Sequence, residues 1–196
     1  NACPASDCVP ALMVLGASVT AQGPEGRREI PLRELFRSCE ACLRHAGMRV
    51  RTCFFLETAT KKLTLRPGAL IVSVEIPRQH TEERSLFYKL TENQSAGMAV
   101  LNFAMTGALG SDGRITAFRV CPGGVFPRPR CFPEGENPVI GQLPERVRFA
   151  EAAREIAEAM GSEEHTLADY GYKSRVLSEI IQDGMAQIFC GIPMEE

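Results

Sequence analysis

The chain has 196 residues, 44% of them hydrophobic and 23% charged, with a formal net charge of -2. That length supplies one good core or two small ones, and the charges fall in short mixed-sign runs without the basic stripe that a nucleic-acid partner would require. No apolar stretch reaches the roughly 20 residues needed to cross a bilayer and no signal peptide is visible, so no membrane association and a cytoplasmic location are expected. The sequence opens on Asn1 rather than Met and is expected to start inside a longer gene product. Its 8 cysteines are even in number. A chain this well supplied with aliphatic residues needs no disulfide staples, and reduced thiols are the expectation.

In chain order, residues 8–17 carry Val9, Leu12, Met13 and Leu15 and read as a short apolar helix closed by Gly16. Ala17 to Gln22 alternates as a strand does, Gly23-Pro24-Glu25-Gly26 has turn composition, and Arg28 to Leu32 returns as the partner strand. Pro31 to Phe36 suits a short helix with proline at its start. Residues 37–63 read as an irregular excursion. Leu65-Arg66-Pro67-Gly68 then turns into Ala69 to Ile76, an apolar run of strand length ended by Pro77 and most simply a core strand. The polar, aperiodic stretch from Arg78 to Arg84 is a natural domain boundary.

Beyond that boundary, Leu86 to Leu90, Met98 to Thr106 and Ile115 to Val120 are strand signals, with a weaker one near Val125. Gly110-Ser111-Asp112-Gly113 is a hairpin turn by composition, and the proline-rich Phe126 to Pro138 is loop. Two helices close the chain. Pro144 to Met160 places Val147, Ala150, Ala153, Ile156, Ala157 and Met160 on one stripe and ends at Gly161. Asp169 to Phe189 repeats Tyr172, Val176, Leu177, Ile180, Ile181, Met185 and Ile188 at helical spacing. Strands followed by helices predict an α+β protein with an antiparallel sheet covered by helices on one face.

Few residues here announce chemistry. Ser6 and Asp7 precede a helix, and the simplest reading is an N-cap, a side-chain oxygen accepting from a free backbone N–H. Cys39, Cys42, His45 and Cys53 could supply four ligands to zinc or an iron–sulfur cluster, but a second C-x-x-C is missing and free thiols in an insertion are the stronger reading; no metal is expected. His45, His80 and His165 lie in polar stretches and no serine sits in a nucleophile elbow, so no catalytic residue is assigned. Gly123-Gly124 follows a strand but leads into prolines, which excludes a dinucleotide-binding glycine loop.

Taken together, several segments resemble the flavin subunits and domains of the molybdenum hydroxylase family, which includes xanthine dehydrogenase, aldehyde oxidase and carbon monoxide dehydrogenase. Ala2-Cys3-Pro4-Ala5-Ser6-Asp7 with Leu15-Gly16-Ala17 resembles that family's "ASPxSD…LGA" passage. Leu65 to Pro77 is similar to its "LxPGELIxSVxIP" block, and Phe87-Tyr88-Lys89 to its "FxK" strand. Gly123-Gly124-Val125-Phe126-Pro127 resembles "GGVAPxPxRA", and Tyr172-Lys173 to Leu177 the closing "EYRxxL" helix.

The resemblance implies a partial FAD-binding lobe in residues 1–77 and a carbon monoxide dehydrogenase flavoprotein-type C-terminal domain in 84–192. It implies FAD as cofactor, contacted by Ser6, Asp7, Leu70, Ile71 and Lys89, with the glycine loops that cradle the pyrophosphate lying before Asn1. It implies an oxidoreductase role in which electrons pass from iron–sulfur clusters through FAD to an acceptor, with an iron–sulfur subunit and a molybdopterin subunit as partners. A cation at Lys89 would stabilise a reduced, anionic ring. The alternative is a non-catalytic assembly module without bound flavin.

Overall fold

The computed structural model describes residues 6–36, 63–91, 97, 99–125, 129–132, 138–161 and 170–194. The cysteine-rich stretch holding Cys39, Cys42, His45 and Cys53, and His165 further on, lie outside the described residues.

Helix α1 spans Cys8–Val14 and ends where Gly16 takes a φ of 72°, a left-handed conformation that glycine adopts without a Cβ clash. Strands β1 (Ser18–Gly23) and β2 (Gly26–Pro31) form a hairpin through the Pro24-Glu25 turn, in register Val19 to Ile30 and Ala21 to Arg28. A short helix α2 follows at Leu32–Leu35, and Phe36 bridges Leu63. Strand β3 (Leu70–Glu75) then pairs antiparallel with β1, giving a sheet of order β2-β1-β3.

A second antiparallel sheet, β4-β5-β6, is built from Arg84–Thr91, Ala99–Leu109 and Ile115–Gly123. Its middle strand is buried on both faces, and the period-2 alternation divides its residues between two cores. Leu101, Phe103 and Met105 point into one core, together with Phe118 and Val120 of β6 and helices α3 (Arg146–Gly161) and α4 (Tyr170–Met185). Ala104, opposite Cys121 in register, points the other way into a core shared with Met13 and Val14 of α1. Helices thus cover both faces of the second sheet: α3 and α4 on one, α1 on the other.

Tight contacts fix the α3/α4 face. A Cβ on Gly107 would lie 2.4 Å from Phe189 Cζ, and one on Gly184 would lie 2.8 Å from Met105 Cε, so glycine at both places lets the sheet and the last helical turns approach. Phe189 stacks on Phe149 at 6.1 Å and tilts against Phe118 at 6.0 Å. After Met185 the helix widens into a π turn, Ala186–Cys190, that aims Ile188 and Phe189 inward before Gly191 ends it.

Four sequence-based expectations are corrected. Ala69 to Ile76 forms a strand as its composition says, but not a core strand: Leu70 is 72% exposed, and Ile71, Val72 and Val74 are exposed too. β3 lies at the edge of its sheet, and β branching gave the strand without saying what covers it. In α3 the buried stripe is Phe149, Ala152, Ala153 and Ile156, while Val147 is exposed, so the true face is rotated from the expected one. In α4 the stripe of Leu177, Ile181 and Met185 is buried as expected but Tyr172 stands in solvent. The signal near Val125 is no strand; Val125 is buried in the bend that follows β6.

Candidate functional site

Asp7 occupies the N-cap position of α1 but makes no capping bond with its side chain, which corrects the simplest reading of Ser6-Asp7. The carboxylate turns to the second sheet instead. Lys89 Nζ, on β4, donates to Asp7 Oδ2 at 2.7 Å, and Asn102 Nδ2, on β5, donates to Asp7 Oδ1 at 3.1 Å. Asn102 Nδ2 also donates to the Ser6 carbonyl at 3.2 Å. Lys89 and Asn102 face each other across β4 and β5 in direct register, which places both donors beside one carboxylate.

Asn102 is wholly buried and its Oδ1 accepts no hydrogen bond from the described residues. Its orientation is nonetheless forced, because the flipped amide would turn an acceptor toward the Ser6 carbonyl and the Asp7 carboxylate. Oδ1 lies against Gly123, where a Cβ would come within 2.3 Å. Glycine at 123 is therefore required by Asn102. Gly124, at φ 77°, packs on the Val100 carbonyl, and its own carbonyl accepts from Lys173 Nζ of α4 at 2.9 Å. The Gly-Gly and Tyr-Lys segments, far apart in sequence, meet here.

Of the five residues expected at a cofactor, the structure brings Ser6, Asp7 and Lys89 together, Ser6 through its backbone carbonyl. Leu70 and Ile71 belong to the other sheet, opposite Gln22 and Ala21 on β1, with the second edge of β3 unpaired among the described strands. Asn102 was missed by the reading of motifs. Its signal was a lone amide inside the apolar run Met98 to Thr106, since a polar side chain in a buried strand needs a partner.

The chemistry of this cluster is that of a half-open ion pair. The side chains of Lys89 and Asp7 remain 30% and 42% exposed. An ammonium carries three donors and Asp7 takes one, which leaves donors that a further partner could use.

The family described as the FAD binding domain in molybdopterin dehydrogenase matches residues 1–79, and that described as the CO dehydrogenase flavoprotein C-terminal domain matches residues 86–188. The chain belongs to the FAD-binding flavoproteins of the molybdenum hydroxylase family, whose cofactor is FAD. Among solved structures it is similar to carbon monoxide dehydrogenase from Hydrogenophaga pseudoflava, with a TM-score of 0.77 and 16% identity over 98% of this chain and 59% of that one. Quinoline 2-oxidoreductase from Pseudomonas putida 86 gives 0.73 and 17% over 98% and 59%. Carbon monoxide dehydrogenase from Oligotropha carboxidovorans gives 0.74 and 18% over 93% and 56%. At these identities the likeness is one of fold. In sequence, bovine aldehyde oxidase 1 is 29% identical over 126 residues, which are 63% of this chain and 8% of that protein. The chain thus spans under two thirds of each relative.

The residues present fit such a cofactor. FAD offers a polar ring edge and an anionic pyrophosphate. The Lys89 ammonium is a donor suited to either, and it is held by Asp7, which is held in turn by Asn102.

Proposed function

We propose that this chain forms part of a flavoprotein electron-transfer subunit, with residues 1–77 contributing to FAD binding and 84–192 forming the C-terminal domain against which the flavin rests. When bound, FAD supplies the electron and hydride chemistry, taking electrons from iron–sulfur clusters on one partner while a molybdopterin partner oxidises the substrate. The observation that carries this reading is the Asp7–Lys89–Asn102 cluster, a partly exposed cation held by groups from the start of α1, from β4 and from β5. Lys89 stabilises negative charge on a reduced ring. Asp7 aims Lys89 and balances its charge when the ring is neutral. Leu70 and Ile71 contribute through the backbone of β3, whose second edge is unpaired among the described strands, which is consistent with apolar side chains standing in solvent there.

The test is an FAD titration followed by absorbance and flavin fluorescence, repeated with Asp7→Asn, Lys89→Met and Leu70→Ala. Weakening by Asp7→Asn and Lys89→Met with little change in Leu70→Ala supports the reading. In the FAD-loaded parent enzyme, Lys89→Met lowers the flavin reduction potential, because the reduced ring loses its cation. Binding and potential indifferent to both Asp7 and Lys89 would refute the site. A parent subunit that perturbs no flavin spectrum even with the segment preceding Asn1 present, yet captures the partner subunits, would favour the assembly-module reading.

A further inference from the structure

Away from the Asp7–Lys89 cluster, but on the same face of the second sheet, three sulfur atoms converge. Cys121 lies on β6 opposite Ala104, one side-chain repeat from the Asn102–Gly123 pair. It is wholly buried, and its Sγ donates to Met13 Sδ of α1 at 3.6 Å. The side chain of Cys131, half-buried, is hydrogen-bonded to the same thiol. The segment 129–132 reaches this place because the Phe132 N–H donates to the Val120 carbonyl at 3.1 Å. Cys131 packs against the same core as Cys121 and Met13. Two thiols in direct contact are the starting arrangement for a disulfide, which spans Cα separations of roughly 4.4–6.8 Å without moving the backbone.

We propose that Cys121 and Cys131 form a reversible disulfide site, entered through Cys131 and closed by Cys121, with a small-molecule disulfide such as glutathione disulfide as oxidant. The Cys131 thiolate attacks one sulfur of glutathione disulfide, forming a mixed disulfide and expelling one glutathione thiolate. Cys121 then gives up its proton and attacks the Cys131 sulfur, expelling the second. Two protein thiols are oxidised by two electrons, one glutathione disulfide is reduced to two glutathione molecules, and the two thiol protons end on them. The order follows from access: Cys121 lies on β6 beneath α1, and burial holds its thiol protonated well above the usual range, so it is a poor first nucleophile. Once Cys131 carries a mixed disulfide, the attack is intramolecular between groups already in contact. The product fastens residues 129–132 to β6 beneath α1 and removes the hydrogen bond to Met13.

The experiment incubates the folded protein with glutathione disulfide, quenches with acid, alkylates remaining thiols and maps tryptic peptides. Cleavage after Arg130 puts Cys121 and Cys131 on separate peptides, so their disulfide appears as a linked pair. The expected result is that linked pair, reversed by excess glutathione. Cys121→Ser is expected to stop at a single glutathione adduct on Cys131, and Cys131→Ser to leave Cys121 unmodified. The inference is overturned if both thiols of the wild-type chain stay alkylatable, if either pairs with a different cysteine, or if Cys121 is modified as fast in Cys131→Ser as in the wild type. The wild-type map stands alone, so it decides the question even where a variant does not fold.

Discussion

Asn102 gives the sharpest test of how the site is held together. Replacing it by leucine removes a hydrogen bond to the Ser6 carbonyl, about 0.5–1.5 kcal/mol, and a charge-assisted one to Asp7, about 1.5–3 kcal/mol. The same substitution removes the buried, unmet Oδ1 acceptor, whose desolvation costs about 1–3 kcal/mol in the wild type. The net loss for Asn102→Leu is therefore about 1–2 kcal/mol. Asn102→Asp keeps the shape and reverses the chemistry. A carboxylate oxygen now faces the Ser6 carbonyl and the Asp7 carboxylate where an N–H₂ stood, and the new charge is fully buried. Lys89 is the nearby cation, but it is already engaged by Asp7. The cost rises to about 3–5 kcal/mol, the order of an uncompensated buried charge.

The assay is denaturant unfolding followed by far-UV circular dichroism, because the chain has no tryptophan to report by fluorescence. Asn102→Asp should lie about 1–4 kcal/mol below Asn102→Leu near neutral pH. The gap should narrow in acid, where the introduced carboxyl takes up a proton and can donate again. Equal stability of the two variants, or a leucine variant below the aspartate one, would mean that Nδ2 does not face Ser6 and Asp7, and the geometry of the cluster would fall with it.

Other perturbations follow from the same contacts. Gly107→Ala pushes a methyl group onto the Phe189 ring and should cost about 1–3 kcal/mol in thermal or denaturant unfolding. Phe189→Ala alone should cost about 3–5 kcal/mol, and the double variant should cost less than the sum, since the smaller side chain leaves room for the methyl. Arg119 donates to the Val14 carbonyl at 2.8 Å and stands 3.8 Å from the largely buried Glu83 carboxylate. Arg119→Leu should therefore destabilise by about 1–3 kcal/mol, with Glu83→Gln in the same chain recovering part of the loss. Burial raises the Cys121 thiol, so above its ordinary range the unfolded chain releases a proton that the folded chain keeps. Its contribution to stability is present below about pH 8.5 and declines as pH rises through the alkaline range, by up to about 1.4 kcal/mol per pH unit for one proton. Cys121→Ala should remove that component of the alkaline slope in unfolding curves measured across the range.

Element type was legible where local chemistry decides it. The Gly23-Pro24-Glu25-Gly26 turn, the Gly110 to Gly113 hairpin and the two closing helices stand where composition and period placed them. Burial was less legible, because it depends on what lies opposite. The apolar run of β3 looks identical whether covered or not, and in α3 Phe149 outweighs Val147 although both fit a helical stripe. At the site, the resemblance led to Ser6, Asp7 and Lys89, and the structure makes Asp7 and Lys89 an ion pair, a relation that no spacing in the sequence encodes. Asn102 is 95 residues from Asp7 and could be found only by asking what a buried amide bonds to.

The second sheet does more than carry one core. Helix α1 is fastened to it at both ends by side chains: Asp7 to Lys89 and Asn102 at the start, and the Val14 carbonyl to Arg119 at the finish. Between them Met13 and Val14 pack into the core shared with Ala104 and Cys121. Gln79, just beyond the strand β3, reaches back to the Leu15 carbonyl at 3.1 Å, so the chain leaving the first sheet is tied to the same helix. Two polar anchors flanking an apolar contact resist sliding and rotation, which apolar burial alone does not. A ligand group that reaches the Lys89 ammonium therefore meets a donor whose position is set by three elements, and little reorganisation is needed when charge arrives there. That preorganisation is why substitutions of Asn102, which need never touch a ligand, should alter binding at Lys89 as well as stability.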